Sequence, residues 1–330
     1  MGPDNETDFT YLEKEYDDFD AQSEHWDDYG QEYIKLSTDS FRGSFASAYL
    51  GRDVSVHYET MNSAMHCRVG CAEELIGFGV SLGQSRVAAN GIRMDPNDVI
   101  ITRPGSELEL DVPSEGAAFL VLAVDLGTFK SMVGTDPGLE HLDPDSRKAS
   151  VVRAACTANA IEIGGQALLR TCARAPSIWR PHSAAGAILA GTAAALALDA
   201  GPDTARERMP DGQSAAVVSA VRDALADMEE FDYAALTAAT GHSPRSIQMA
   251  FAGRLQTTPF RYFRAVRLHH VRNVLLSGPN DGSETIGDIA AAHGFGNWGR
   301  FTQLYRRQFG ETPSESRARV KGRPRPADAA

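Results

Sequence analysis

The chain is poor in cysteine, in long apolar runs and, over most of its length, in basic residues. Its four cysteines, Cys67, Cys71, Cys156 and Cys172, are too few and too scattered to make a disulfide framework for 330 residues. No Cys/His set repeats the paired spacing of a zinc site, so all four are expected as reduced thiols and no metal is expected. The longest uncharged, apolar-looking run, Ser183 to Leu198, has 16 residues dominated by Ala and Gly. That is short of the ~20 strongly apolar residues that cross a bilayer. The opening stretch MGPDNETDFTYLEKEYDDFD has no basic segment followed by an apolar one, so no secretory or mitochondrial leader is expected and a cytoplasmic location is. Phosphate loops, nucleophile elbows and dinucleotide fingerprints are all missing; Gly77, Phe78 and Gly79 lie inside an alternating strand with no helix after it. Catalysis and a resident cofactor are therefore not expected.

What is present is an uneven charge distribution. The formal net charge of −12 argues by itself against a nucleic-acid partner. Residues 1–30, however, hold eleven acids and one base, Lys14, and residues 31–232 hold 27 acids and 17 bases. From Tyr233 onward there are 14 bases and 6 acids, a local net of +8. A basic C-terminal third attached to an acidic remainder is the electrostatic footprint of a DNA-binding domain.

The residue pattern divides the chain further. Residues 1–35 are acidic with interspersed Phe9, Tyr11, Tyr16, Phe19, Trp26 and Tyr29, a mixture expected to form a flexible arm because it cannot bury a core alone. Residues 36–135 show period-two alternation, as at Val54, Val56 and Tyr58, at Ile76, Phe78, Val80 and Leu82, and at Leu120, Leu122 and Val124, which predicts many short half-buried strands in a small barrel or sandwich. Asn90-Gly91 is a two-residue hairpin signal. Residues 136–200 read as helical and Ala-rich, residues 201–214 as a Gly/Pro/charge-rich linker, and residues 320–330 as a disordered tail. That tail includes KGRPRP, similar to the core of a minor-groove AT-hook.

Residues 215–319 contain the same scheme twice. In FDYAALTAATGHSPRSIQMAFAGRL, Asp232 caps a short helix, Gly241-His242 turns, and Ser243-Pro244 starts a second helix that buries Ile247, Phe251 and Leu255. In TIGDIAAAHGFGNWGRFTQLYRRQF, Ile286, Ile289 and Ala290 form the first stripe and Phe301, Leu304, Tyr305 and Phe309 the second. Pro259 to Ser277, between them, predicts one helix about 28 Å long. That is close to the ~34 Å between successive major grooves on one face of DNA, so one chain could present both second helices to neighbouring grooves.

These residues resemble the C-terminal DNA-binding domain of AraC/XylS-type bacterial transcriptional regulators, through SPRSIQMAF, TTPFRYFRAVRLHHVRNVLL, TIGDIAAAHGF and RFTQLYRRQFGETPSE. Carried over by position, the resemblance implies base-contacting roles for Arg245, Gln248 and Met249 in the first motif and for Asn297, Trp298, Arg300 and Gln303 in the second. Met249 and Gln303 stand where Arg is common in the family, which implies a different sequence preference. Arg306 and Arg307, with Arg254, Arg261, Arg264, Arg267 and Arg272, are expected to meet phosphates. The opening SFRGSFASAYLGRDVSV and the stretch DVIITRPGSEL resemble an AraC-type ligand-binding domain. The implied architecture is α+β and multidomain: a cupin-like β-barrel followed by dimerisation helices, then an all-α domain with two helix-turn-helix motifs joined by a long helix.

The function so implied is a nucleoid-associated, sequence-specific transcriptional regulator, an activator by resemblance. Its expected partners are double-stranded DNA, a small-molecule effector, RNA polymerase and a second copy of the chain. Two other readings compete. A cupin-type enzyme with a DNA-binding appendage would need several converging His and Glu ligands, but the chain offers only His57, His66 and Cys67 with no His-x-His pair. A regulator switched by a protein partner would use the acidic arm.

Overall fold

Alternating strands and amphipathic helices segregate into two units in a computed structural model of the chain, which describes residues 9–26, 29–83, 86–133, 146–174, 181–199, 212–277 and 284–321. One unit comprises Met1–Tyr33 with Phe41–Gly212, and the other Ile34–Ser40 with Gln213–Ala330.

In the first unit the period-two segments form two antiparallel sheets. The seven-stranded sheet runs β1 (Phe9–Tyr16), β3 (Gly43–Leu50), β4 (Val54–Met61), β11 (Ala117–Asp125), β6 (Leu75–Leu82), β9 (Asp98–Thr102), β12 (Ser150–Arg153). The five-stranded sheet runs β2 (Tyr29–Lys35), β5 (Met65–Cys71), β10 (Glu107–Val112), β7 (Ala88–Ala89), β8 (Ile92–Arg93). Alternation gives each strand of the larger sheet two different faces. Val54, Val56, Ile76, Phe78, Leu120 and Leu122 bury one face against α3 (Ala155–Arg174) and α4 (Pro181–Asp199). Their neighbours Glu59, Gly79, Ile100 and Val121 line a pocket together with residues of the smaller sheet. Helix α3 approaches closely because Gly165 has no side chain; a Cβ there would lie 2.5 Å from Leu120. The start of α3 is held by the end of α4, where the Asp199 carboxylate accepts from the Thr157 N–H and O–H, both at 2.8 Å. Asn90 and Gly91 both take positive φ, 47° and 74°, and β7 pairs with β8 across them.

Two expectations are corrected. Most of the anticipated arm is folded: β1 pairs with β3 from Phe9↔Leu50 to Tyr16↔Gly43, α1 (Phe19–Ser23) follows, and β2 is in the smaller sheet. The charge count misled because acids on an edge strand stay solvated while the interspersed aromatics go inside; Phe19, Trp26, Tyr29 and Tyr33 are all buried. The helical segment expected over 136–200 contains a strand, β12, whose β-branched Val151-Val152 pair completes the sheet edge on β9. Residues 134–145, 175–180 and 200–211, which include most of the expected linker, and 322–330, the basic tail, lie outside the described residues. Helix α2 (Leu126–Val133) follows β11.

The second unit is helical: α5 (Gly212–Ala226), α6 (Tyr233–Thr240), α7 (Pro244–Leu255), α8 (Pro259–Ser277), α9 (Ile286–Ala292), α10 (Trp298–Phe309) and α11 (Pro313–Lys321). It has two small cores. Val218, Val221, Leu236, Ile247 and Phe251 pack with Tyr262 and Phe263 of α8, while Leu268, Val271 and Leu275 further along α8 pack with Ile289, Phe301 and Tyr305. Helix α8 is therefore common to both. A short extended segment completes this unit: Leu36 packs on the first core, and Gln308 Nε2 donates to the Lys35 and Ser37 carbonyls at 2.6 and 3.1 Å. The Lys35 N–H donates to His269 Nε2 at 2.9 Å.

That last bond has a pH consequence. Burial, reinforced by the nearby Arg272 charge, pushes the His269 pKa down to about 3. The folded protein therefore keeps His269 neutral where the unfolded chain, near 6.5, takes up a proton. The sign follows: this unit's stability is full above about pH 6.5 and falls by roughly 1.4 kcal/mol per pH unit as the pH drops toward 3. Urea melts followed between pH 8 and 5 are expected to show that slope, and His269→Gln to flatten it; an unchanged slope in the variant would assign the acid sensitivity elsewhere.

Candidate functional site

Each of the two short helices α7 and α10 is built by local sequence. Asp232 accepts from the Ala234 and Ala235 N–H groups to start α6, and Gly241 at φ 70° ends it. The Ser243 side chain then accepts from the Ser246 N–H, with Pro244 at the first helical position of α7. In the second copy Thr285 and Asp288 form a reciprocal capping box on α9, Asn297 caps α10 through the Arg300 N–H at 2.9 Å, and Gly310 at φ 79° ends it. Capping of this kind fixes where each helix begins, and therefore which residues occupy its first turn.

The structure places the expected readers on solvent-facing sides of these helices. Arg245, Gln248 and Met249 are exposed on α7 while Ile247, Ala250 and Phe251 are buried between them. Met249 is 63% exposed and Trp298 50%, large apolar side chains with little reason to face water. Trp298, Arg300, Gln303, Arg306 and Arg307 are exposed on α10, as is its cap Asn297. Two of these residues have partners already: Gln248 Nε2 donates to the Tyr233 hydroxyl at 3.1 Å, and the Asn297 side-chain carbonyl oxygen is used by the cap.

The arginines expected to meet phosphate separate into two groups. Arg261, Arg306 and Arg307 are exposed and Arg254 and Arg264 are partly so. Burial and the neighbouring Arg261, Arg300 and Arg307 charges push the Arg264 pKa down, so guanidiniums from α8 and α10 gather around it. A concentration of like charge costs energy unless a polyanion arrives to neutralise it. A cleft of about 370 Å³ opens beside this cluster, with Phe260, Arg264, Arg267, Asn297 and Arg300 in its walls.

Arg267 and Arg272 do not belong to that set and are corrected here. Arg267 donates to the His293 carbonyl at 3.0 Å and to the Met228 carbonyl, and lies 4.4 Å from the Phe263 ring centre. Arg272 is 1% exposed, paired with Glu311 and 3.3 Å from Ser316 Oγ. Helix periodicity cannot separate a basic residue that braces a core from one that faces solvent when the bracing partner comes from a distant helix.

The first unit holds a second candidate site. A space of about 50 Å³ lies among Trp26, Tyr33, Glu59, Cys67, Thr102 and Phe119. Glu59 Oε1 accepts from the Tyr33 hydroxyl at 2.5 Å and from Gln22 Nε2 at 2.7 Å. Burial raises the Glu59 carboxyl pKa to about 7, against the lowering effect of those two bonds. Gly77 leaves room for polar groups here, since a Cβ would fall 2.4 Å from Thr102 Oγ1 and 2.5 Å from the Tyr29 hydroxyl. Sequence reasoning passed over Glu59, although an acid two residues on from His57 in an apolar strand was the available signal.

His57, His66 and Cys67 do not converge. His57 lies between Ser47 Oγ at 2.8 Å and Ser55 Oγ at 2.7 Å, with its pKa pushed down to about 3 by burial, and His66 sits 3.0 Å from Asp111. Among the described residues no group of three His, Cys, Asp or Glu is arranged to hold a metal ion, and no helix is long and apolar enough to cross a membrane. Burial raises the thiol pKa of both Cys67 and Cys71, which makes them poor nucleophiles at neutral pH.

The paired capped helices, their exposed basic faces and the shared α8 define a DNA-binding domain of the helix-turn-helix class. Residues 236–319 match the family model described as a helix-turn-helix domain. The chain is similar to the XylDLEGF operon transcriptional activator 2 of Pseudomonas putida, 40% identical over 74 residues, which are 22% of this chain and 46% of that protein. It is also similar to the "Probable thc operon regulatory protein" of Rhodococcus erythropolis, 40% identical over 75 residues, 23% of this chain and 22% of that one. The matched stretch thus spans less than half of either relative. Among solved structures, a probable AraC family transcriptional regulator from Rhodopseudomonas palustris CGA009 matches at 35% identity, covering 33% of this chain and 99% of that one, with a TM-score of 0.30. The C-terminal unit is of the AraC/XylS type.

Proposed function

We propose that the protein is a sequence-specific, effector-controlled transcriptional activator of the AraC/XylS type, with no catalytic role. The observation that carries this reading is the pair of capped helices α7 and α10 presenting exposed Arg245 and Arg300 in their first turns, on a 19-residue helix that serves both cores. Nineteen residues span about 28 Å, close to the ~34 Å that separates major grooves on one DNA face. Arg245, Gln248, Met249, Asn297, Trp298, Arg300 and Gln303 read bases in this account. Arg261, Arg264, Arg306 and Arg307 hold phosphates, with the cluster around Arg264 seated over the backbone between the two grooves.

The remaining assignments follow the same reading. The two sheets form a cupin-like barrel over residues 36–135, extended at its edge by the residues of β1, and the Glu59 pocket inside it is the effector site. Helices α3 and α4 pair two copies of the chain, residues 201–214 link the units, and the DNA-bound protein contacts RNA polymerase in a bacterial cytoplasm. A gel-shift titration of the full chain against DNA upstream of its own and adjacent genes tests the reading. A complex that survives excess non-specific competitor is expected; titration to the same end point by any DNA would contradict sequence-specific recognition.

A further inference from the structure

We propose that the Glu59 pocket takes a small organic ammonium ion, its positive charge seated on Glu59 Oε2 and its short alkyl part against the surrounding aromatic rings. The assignment rests on the effector-site reading of this pocket and adds the chemical class of the ligand.

The first argument is hydrogen-bond accounting. Both protein bonds to the Glu59 carboxyl end on Oε1, from Tyr33 and Gln22. Among the described residues nothing donates to Oε2. The Trp26 indole N–H, in the same wall, also has no hydrogen-bond partner although Trp26 is 4% exposed. An acceptor atom with no protein donor is open to a guest that donates, as an ammonium N–H does; the Trp26 N–H is not met by such a group, which has no lone pair.

The second argument is charge. The titratable side chains in the wall are Tyr29, Tyr33, Glu59 and Cys67, and no Lys, Arg or His is among the lining residues. Each of the four is neutral or becomes negative. An anionic guest would bring a second negative charge into a site with nothing to balance the first, whereas an ammonium ion supplies the missing countercharge. Tyr33 and Phe119 stand in the same wall as aromatic neighbours for a cation, while Trp26 already packs its ring against Tyr29 and His57, with centroids 3.8 and 3.9 Å away.

The third argument is size. A cavity of about 50 Å³ is roughly one third of the ~150 Å³ that accepts benzene in an apolar core. It fits an ammonium head with two or three carbons and excludes an aromatic ring in this arrangement. Seating the cation stabilises the ionised carboxylate, which in the protein alone titrates at about 7 because burial outweighs the Tyr33 and Gln22 bonds. Binding at pH 7 should therefore release up to about half a proton.

The test is calorimetric titration of the full chain at pH 7, in buffers of different ionisation heat, with ethylammonium and n-propylammonium chloride, sodium propionate and propan-1-ol. The alkylammonium ions are expected to bind at least tenfold more tightly than the carboxylate or the alcohol, with proton release. Glu59→Gln keeps the shape of the site and is expected to weaken ammonium binding tenfold or more and to abolish the release. Glu59→Asp, which keeps the charge, should retain part of both; thermal melts report whether each variant folds. Equal or tighter binding of propionate or propanol, or unchanged ammonium binding in a folded Glu59→Gln protein, would overturn the assignment. If propionate binds and alters DNA affinity, the ammonium assignment falls and the effector reading stands. If ammonium binds through Glu59 without altering DNA affinity, the assignment stands and the effector reading falls. Binding by none of the four contradicts both.

Discussion

Replacing Arg272 by leucine is expected to destabilise the C-terminal unit by about 3 kcal/mol, while the salt dependence of DNA binding by the fraction that remains folded stays as it was. Arg272 lies inside the unit, paired with Glu311, 3.3 Å from Ser316 Oγ and 4.8 Å from the Phe309 ring centre. Ser316 in turn accepts from the buried Tyr305 hydroxyl at 2.7 Å and donates to Glu311 at 2.7 Å. The guanidinium thus links α8 to the end of α10 and to α11. Removing one member of a buried ion pair leaves the other without its countercharge, at a cost of about 3–5 kcal/mol. Because Glu311 keeps Arg319 at 3.2 Å and is itself partly exposed, the lower end of that range applies. A phosphate contact would behave otherwise: its loss would spare stability and reduce the salt slope by close to one. Denaturant melts and a salt titration on the same variant separate the two.

The second large effect concerns readers and anchors. Arg245→Ala and Arg300→Ala are each expected to reduce affinity for the specific site by roughly 5- to 150-fold, the range of a lost bidentate base contact at ~1–3 kcal/mol, with little change on random DNA. Both residues sit in the exposed first turn of a capped helix, the part of a recognition helix that meets base edges. Arg306→Ala and Arg307→Ala, from the last turn of α10, should weaken all sequences alike and lower the log–log salt slope by about 0.9 each. Competition binding on specific and scrambled duplexes at several salt concentrations distinguishes the patterns. Identical behaviour of Arg300→Ala and Arg306→Ala would show that the division between the two turns is wrong.

Some of this was legible in the residues and some was not, for identifiable reasons. The helices of the second unit were, because each is bounded by local signals: Asp232, Ser243-Pro244, Thr285 and Asn297 at their starts, Gly241 and Gly310 at their ends. The strands with Val54, Ile76 and Leu120 were, because the face that packs on the helices is apolar at every second position, Val54 and Val56, Ile76 and Phe78, Leu120 and Leu122. The folding of residues 9–35 was not, since pairing of β1 with β3 is a non-local event and a segment carrying exposed Glu13 and Glu15 reads as a solvated arm. Lys35 shows the same limit in sharper form. It is 2% exposed, and its backbone is bonded to His269 and Gln308, more than 230 residues away in sequence, an arrangement no local pattern announces. At the reading face, exposure of Met249 and Trp298 agrees with their positions in the motif, but only packing distinguished Arg264, drawn into a cluster of like charge, from Arg267 and Arg272, which brace the core. Glu59 was hidden because its significance lies in what surrounds it across two sheets.

The net charge of −12 therefore conceals a local division. The basic groups that gather around Arg264 are the ones a polyanion would meet, and the acids of β1 and β2 belong to a folded unit.

The central claim, that one chain reads two successive major grooves through α7 and α10, is tested most directly by hydroxyl-radical footprinting of the full chain on its selected upstream site. The account predicts two protected windows on one face of the duplex, centred about one helical turn apart, with Arg245→Ala eroding one window and Arg300→Ala the other. A single window, or erosion of the same window by both variants, would contradict it.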